Sequence, residues 1–159
     1  MKSNKLFWFK FSGFFTAFLG IYAAAAFFIK EPLFGIHHNL SDSLPFSFFL
    51  STKINAIQPY TYVMLKHPKS AVRLAKQVIG LPGDHVTIKH NTFYINDVEY
   101  GIIQARTRSG QPIHPIQEGK IPEGFVFVYA SHPYSYDSRY AEFGLVAISD
   151  LQEKLWPLF

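Results

Sequence analysis

The chain contains no cysteine among its 159 residues. Disulfides, thiolate nucleophiles and cysteine-ligated zinc are therefore excluded. The compartment stays open on that ground, because an exported domain can fold without disulfides. A basic stripe is also missing. The net charge is +4, but Lys2, Lys5 and Lys10 supply three of those charges before any acidic residue appears. From residue 32 onward eleven basic residues face ten acidic ones. A nucleic-acid backbone needs clustered cations, so no nucleic-acid partner is expected. The chain carries no Gly-x-Ser-x-Gly elbow, no internal repeat and no low-complexity tract. Seven histidines are present, none in an arrangement that identifies a catalytic base.

Charge is absent altogether from Phe11 to Ile29, a run of 19 residues bounded by Lys10 and Lys30. As a helix this run covers about 28 Å, close to the hydrocarbon thickness of a bilayer. Three lysines on its N-terminal side predict a cytoplasmic N-terminus and an exported remainder. The rival is a cleaved signal peptide with an Ala-x-Ala site within Ala23–Ala26. Phe27-Phe28-Ile29 prolongs the apolar run past those alanines, which favours an anchor. The expected organisation is a cytoplasmic tail and transmembrane anchor over residues 1–31 and an exported domain over 32–159.

What the chain has in abundance is aromatic residues, 17 Phe and 9 Tyr. After Pro32 these fall into short runs punctuated by Gly, Pro, Asn and Asp. Strands are expected at Tyr60–Lys66, Val72–Ile79, His85–Lys89, Thr92–Ile95, Phe125–Ala130 and Leu145–Ile148, with a helix conceivable only at Ile148–Leu155. Phe93–Tyr100 reads as a hairpin turning at Asn96-Asp97, residues that tolerate positive φ. The exported part is expected to be mainly antiparallel β, as a barrel or as coiled sheets.

Chemistry concentrates in three segments: Asn39-Leu40-Ser41-Asp42-Ser43-Leu44-Pro45, then Lys76-Gln77-Val78-Ile79-Gly80-Leu81-Pro82-Gly83-Asp84, then Ser135-Tyr136-Asp137-Ser138-Arg139-Tyr140. A serine hydroxyl is a weak nucleophile and needs a base within hydrogen-bond reach. Lysine serves only as the neutral amine, so its ordinary pKa must fall by several units, which burial achieves. Strand alternation puts Leu74, Lys76 and Val78 on one face, compatible with a desolvated amine.

These segments resemble the signatures of the signal peptidase I family, membrane-anchored proteases with a Ser-Lys dyad. The resemblance covers Asn39 to about Leu151. It implies Ser43 as acylating nucleophile and Lys76 as general base. Ser41 would share the oxyanion hole with the Ser43 N–H, and Ser135 would orient the lysine. Asp137 and Arg139 would form a buried ion pair. Gly80, Pro82, Gly83 and Asp84 would form a structural turn. No cofactor or metal is implied, and the adjacent His37-His38 point to opposite faces of any strand. The implied partners are a precursor protein and membrane lipid.

Departures from the general pattern narrow the resemblance. Leu44-Pro45 follows Ser43 where general signal peptidases carry Met, and Ser131-His132-Pro133 stands where they carry Gly-Asp-Asn. Both look more like the conjugative-transfer branch, whose peptidases trim, and in some cases cyclise, pilin subunits of type IV secretion systems. The 33-residue interval from Ser43 to Lys76 is short for the family. The span from Asn91 to Gln117 is too short for the large second β-domain of some general enzymes. The alternatives are a general signal peptidase of broad range and a catalytically silent scaffold in a secretion apparatus. Retention of Ser41, Ser43, Lys76 and Ser135 together argues against a scaffold. On their own, Ser43 reads as a loop serine, Lys76 as a solvated lysine, and His132 as loop packing.

Overall fold

The computed structural model describes Thr16 and residues 19–21, 34–39 and 43–159. The expected span at Phe11–Ile29 lies outside the described residues save for those four, and Ser41 lies outside them too. Among the described residues no helix is long and apolar enough to cross a membrane. The chain divides into two units, Met1–Leu33 and Phe34–Phe159.

The second unit is built on antiparallel β structure. Its strands are β1 (Phe34–His38), β2 (Phe48–Thr52), β3 (Tyr62–Lys66), β4 (Arg73–Gly80), β5 (His85–Lys89), β6 (Thr92–Ile95), β7 (Val98–Ile102), β8 (Gly119–Lys120), β9 (Phe125–Tyr129), β10 (Val146–Ala147) and β11 (Leu151–Pro157). They form a seven-stranded sheet ordered β1-β2-β11-β3-β4-β9-β10 and a four-stranded sheet ordered β7-β6-β5-β8. No pairing joins β10 back to β1 among the described residues, so these are two open sheets and not one closed barrel.

Turn chemistry sets the small sheet. Asn96 and Asp97 adopt φ of 50° and 65°, as a two-residue hairpin of type I′ requires, and β6 and β7 pair on either side. The β5–β6 connection uses the same device at His90 and Asn91, with φ of 51° and 63°, although histidine gives weaker notice of it.

Alternation along β4 and β9 lets the large sheet serve two cores. Ile79 and Phe127 pack with Val86, Phe93 and Ile95 of the small sheet. Val78, Val126 and Val128 point the other way and join Val63, Leu65, Phe143 and Leu151. A third cluster, Leu44, Phe49, Met64, Ala130 and Leu155, packs beneath the loop that carries Ser43. Phe46 meets Phe49 and Tyr62 edge-on, so the Phe46–Phe49 run is packing surface.

The one helix left conceivable after residue 32 does not form. Ile148–Leu155 is not a helix: a single 3-10 turn at Ile148–Asp150 leads into β11, which is held between β2 and β3. Leu151 and Leu155 are both buried. Their spacing of four suits one face of a helix and one face of a strand equally, and pairing on both edges selects the strand. β1 and β2 also escaped notice. β1 lies at the edge of the large sheet and is half-exposed along its length, so its composition lacks a clean apolar alternation.

Candidate active site

Lys76 sits in the middle of β4, opposite Val63 of β3. Paired residues share a face, and Val63 and Val78 on that face are fully buried. The lysine side chain is only 2% exposed, which decides its chemistry. Burial lowers its pKa from 10.5 to about 8; Asp137 pulls upward and Arg139 pushes down. The desolvated ammonium is the disfavoured form. The amine donates a hydrogen bond of 2.6 Å to Ser135 Oγ, itself buried.

The loop that delivers Ser135 is fixed by an ion pair. Asp137 and Arg139 are 0% and 1% exposed and bond in fork geometry, Nε to Oδ1 at 2.8 Å and Nη2 to Oδ2 at 2.9 Å. Oδ2 also accepts from the Ala130 N–H. The guanidinium further donates to the carbonyls of Ile102, Ala130, His132, Pro133 and Ser135, and it lies 4.9 Å from the Tyr129 ring centre. Burial opposes this cation, but the Asp137 hydrogen bond and charge outweigh it and hold the pKa above the ordinary value. Ser138 stitches the loop to β9: its Oγ accepts from Val128 N–H while its own N–H donates to the Val128 carbonyl.

Ser43 lies in a turn just before β2 and is half-buried. Together with Lys76 it lines a cavity of about 480 Å3 whose walls include Phe49, Met64, Leu74 and Ala75. The Ser43 carbonyl accepts from the His132 N–H at 3.4 Å, so the Ser43 loop and the Ser135 loop touch. Asn39 Nδ2 donates to the carbonyls of Phe46 and Leu44, which ties the start of the Ser43 loop to its end. The position of Asn39 at the head of the Asn-x-Ser-x-Ser segment was its only signal in the sequence.

The Gly80–Asp84 turn supports β4 from below. A Cβ on Gly80 would lie 2.6 Å from Ile121 Cδ1 and 3.0 Å from Phe127 Cβ, so only glycine lets β4 approach β9 and the small sheet this closely. Gly83 takes φ of 96°, a conformation other residues adopt only under strain. Asp84 Oδ2 accepts from Leu81 N–H at 2.7 Å, and Oδ1 accepts from Asn96 Nδ2 at 2.7 Å. The carboxylate thereby joins the turn to the small-sheet hairpin, and Pro82 rigidifies the step between.

The structure thus brings Ser43, Lys76, Ser135, Asp137 and Arg139 into one region, with Gly80, Pro82, Gly83 and Asp84 buttressing β4. His37 and His38 are kept apart: His37 Nε2 meets Glu153 Oε2 at 2.7 Å, whereas His38 stacks on Phe48. His132 contacts Arg108 through its ring and the two loops through its backbone.

Comparison with known proteins meets this geometry. The chain is 36% identical over 87 residues to the conjugal transfer protein TraF of Agrobacterium fabrum (strain C58), matching 54% of this chain and 48% of that protein. The chain therefore spans about half the length of the curated relative it matches. A signal peptidase I from Enterococcus faecalis V583 is similar at 28% identity and a TM-score of 0.45, over 65% of this chain and all of that one. The family model for signal peptidase, peptidase S26, matches residues 8–155; with nearly the whole length matched, the chain belongs to the S26 signal peptidase family.

Proposed function

We propose that the chain is a membrane-anchored serine endopeptidase in which Ser43 and Lys76 form the catalytic dyad. The observation that carries this reading is Lys76, buried with its pKa lowered to about 8, among the residues that line the same cavity as Ser43. An amine with that pKa has a usable neutral fraction near neutrality, where a general base works best. Neutral Lys76 takes the Ser43 Oγ proton as Oγ attacks the scissile carbonyl. The oxyanion is held by the Ser43 N–H and the Ser41 hydroxyl; such a donor contributes about 3–4 kcal/mol in the transition state. The resulting ammonium gives its proton to the leaving amine. Water then resolves the ester on Ser43, or a substrate amine does so and closes a ring.

Phe11–Ile29 anchors the chain in the cytoplasmic membrane with the N-terminus inside, so the coiled-sheet domain works on the extracytoplasmic face. Only 13 residues separate Ile29 from Ser43, a tether of at most about 45 Å when fully extended. The similarity to a conjugal transfer protein and the Ser131-His132-Pro133 segment support a pilin-type precursor of a conjugative type IV secretion system as the substrate.

The test is cleavage of such a precursor in reconstituted membranes by the parent chain, Ser43→Ala and Lys76→Ala. Both variants should be inactive yet folded, and the parental rate should rise with pH through about 8 to a plateau. Processing that survives either substitution overturns the dyad. An export-dependent reporter fused after Phe159 should be active, and an inactive one would overturn the orientation.

A further inference from the structure

The Lys76–Ser135 hydrogen bond joins residues that line two different cavities. Lys76 lines the first with Ser43, while Ser135 lines a second of about 560 Å3. The second has a different character. Tyr136 and Tyr140 lie among its wall residues, and Lys69, Arg106 and Arg108 stand around it. Among the described residues none of these three cations has a carboxylate within ion-pair distance. Arg106 donates to the Gly110 carbonyl and Arg108 to the His132 ring, partners that leave their charge unbalanced. Elsewhere in the domain Arg73 pairs with Glu153 and Arg139 with Asp137. The one acidic side chain at the cavity, Glu142, is occupied by His114 at 2.7 Å.

We infer that this second cavity receives the part of the precursor that follows the scissile bond, and that Lys69, Arg106 and Arg108 select acidic residues in it. The inference rests on the proposed peptidase reading. In that reading the group that protonates the leaving amine is Lys76, and the second cavity is lined by Ser135, its hydrogen-bond acceptor. The chain beyond that amine is therefore assigned to this cavity, and the acyl side to the first, whose walls combine Phe49, Met64 and Leu74 with His37 and Arg73. Arg108 also connects the two regions through His132, whose N–H reaches the Ser43 carbonyl. Exposed ion pairs are individually weak, so two acidic residues give a preference of about five- to tenfold, one that salt screens.

The test measures binding without catalysis. Full-length Ser43→Ala chain in neutral-lipid nanodiscs is titrated with fluorescent twelve-residue peptides that share an Ala-rich apolar half. Their second halves differ only in carrying two Glu or two Gln. The Glu peptide should bind about five- to tenfold more tightly at low salt. That ratio should reach near one when all three cations are replaced by Gln, and should shrink when Arg108→Gln, or Lys69→Gln with Arg106→Gln, is added. The latter pair leaves the Arg108–His132 contact intact, and thermal melts verify folding of each variant. Equal binding of the two peptides, binding of neither, or a preference that survives replacement of all three cations overturns the inference. Binding of phosphatidylglycerol vesicles that depends on these cations, with no peptide discrimination, also overturns it and makes the cavity a lipid headgroup site. Precursor cleavage by the Ser43-intact chain is scored separately, so failure of the peptidase reading appears as a distinct result.

Discussion

Replacing Lys76 by methionine should inactivate the protein and at the same time stabilise it. Folding carries an amine from water into a site that is 2% exposed, and its pKa falls from 10.5 to about 8 as a result. That fall corresponds to about 3 kcal/mol of penalty on the charged form. Below about pH 8 the lysine is protonated in both folded and unfolded chains, so the penalty is fully present. Between about 8 and 10.5 the folded chain is neutral while the unfolded chain still binds a proton, and stability rises with pH. Above 10.5 the penalty is gone. Methionine has similar length, carries no charge and suits irregular apolar space. It does strand the Ser135 hydroxyl, a loss of about 1 kcal/mol.

The net expectation is that Lys76→Met gains about 2 kcal/mol at pH 7, in the range seen when buried ionic groups are replaced by apolar ones. Urea unfolding of parent and variant from pH 6 to 10 measures this directly. The difference should be constant up to about pH 8 and then shrink towards the alkaline end. The tyrosines whose pKa values burial raises titrate in both chains and cancel in the difference. A variant less stable than the parent at pH 7, or a difference independent of pH, would refute burial as the cause of the depressed amine.

Other substitutions probe the supports of the site. Ser135→Ala removes the 2.6 Å bond from Lys76 and should lower kcat about tenfold without abolishing turnover, whereas a parental kcat would deny Ser135 its orienting role. Asp137→Asn leaves Arg139 buried without a counter-charge and should cost about 3–5 kcal/mol in urea unfolding. Because Asp137 pulls the Lys76 pKa upward, the rising limb of the rate profile should also move to lower pH in the folded fraction, and a shift to higher pH would contradict that. Gly80→Ala should cost about 1–3 kcal/mol through the overlap with Ile121 and Phe127, and a melting temperature equal to the parent's would show that β4 and β9 can separate freely.

How much could be seen beforehand depended on whether the deciding interaction was local. The bounds of β5 and β6 follow from composition and the Asn96-Asp97 turn, since hairpin signals act over a few residues. The place of β11 between β2 and β3 did not, because Leu151 and Leu155 satisfy two periodicities and pairing partners 86 to 108 residues away decide between them. Ser43, Lys76 and Ser135 were legible as motif positions. Arg139's contacts with five carbonyls and the His132-to-Ser43 bond were not, because backbone acceptors leave no trace in side-chain patterning. The three unpaired cations around the second cavity were equally hidden, since Lys69 and Arg106 are brought together only by the fold.

The Asp137–Arg139 pair explains how the chain buries Lys76 beside two other charges while its pKa is still lowered to about 8. Asp137 alone would favour the ammonium, and Arg139 alone would disfavour it. Locked together at 2.8 Å, they act on Lys76 as a dipole whose two ends oppose each other, so desolvation remains the leading influence on the amine. The same pair grips the carbonyls of the Ser135 loop and fixes the hydrogen-bond acceptor that aims the amine. Geometry and proton affinity are thus governed by one buried element. A substitution there should disturb stability, loop position and pH profile together, whereas Ser135→Ala removes one hydrogen bond from the amine and should leave the loop in place at a stability cost of about 1 kcal/mol.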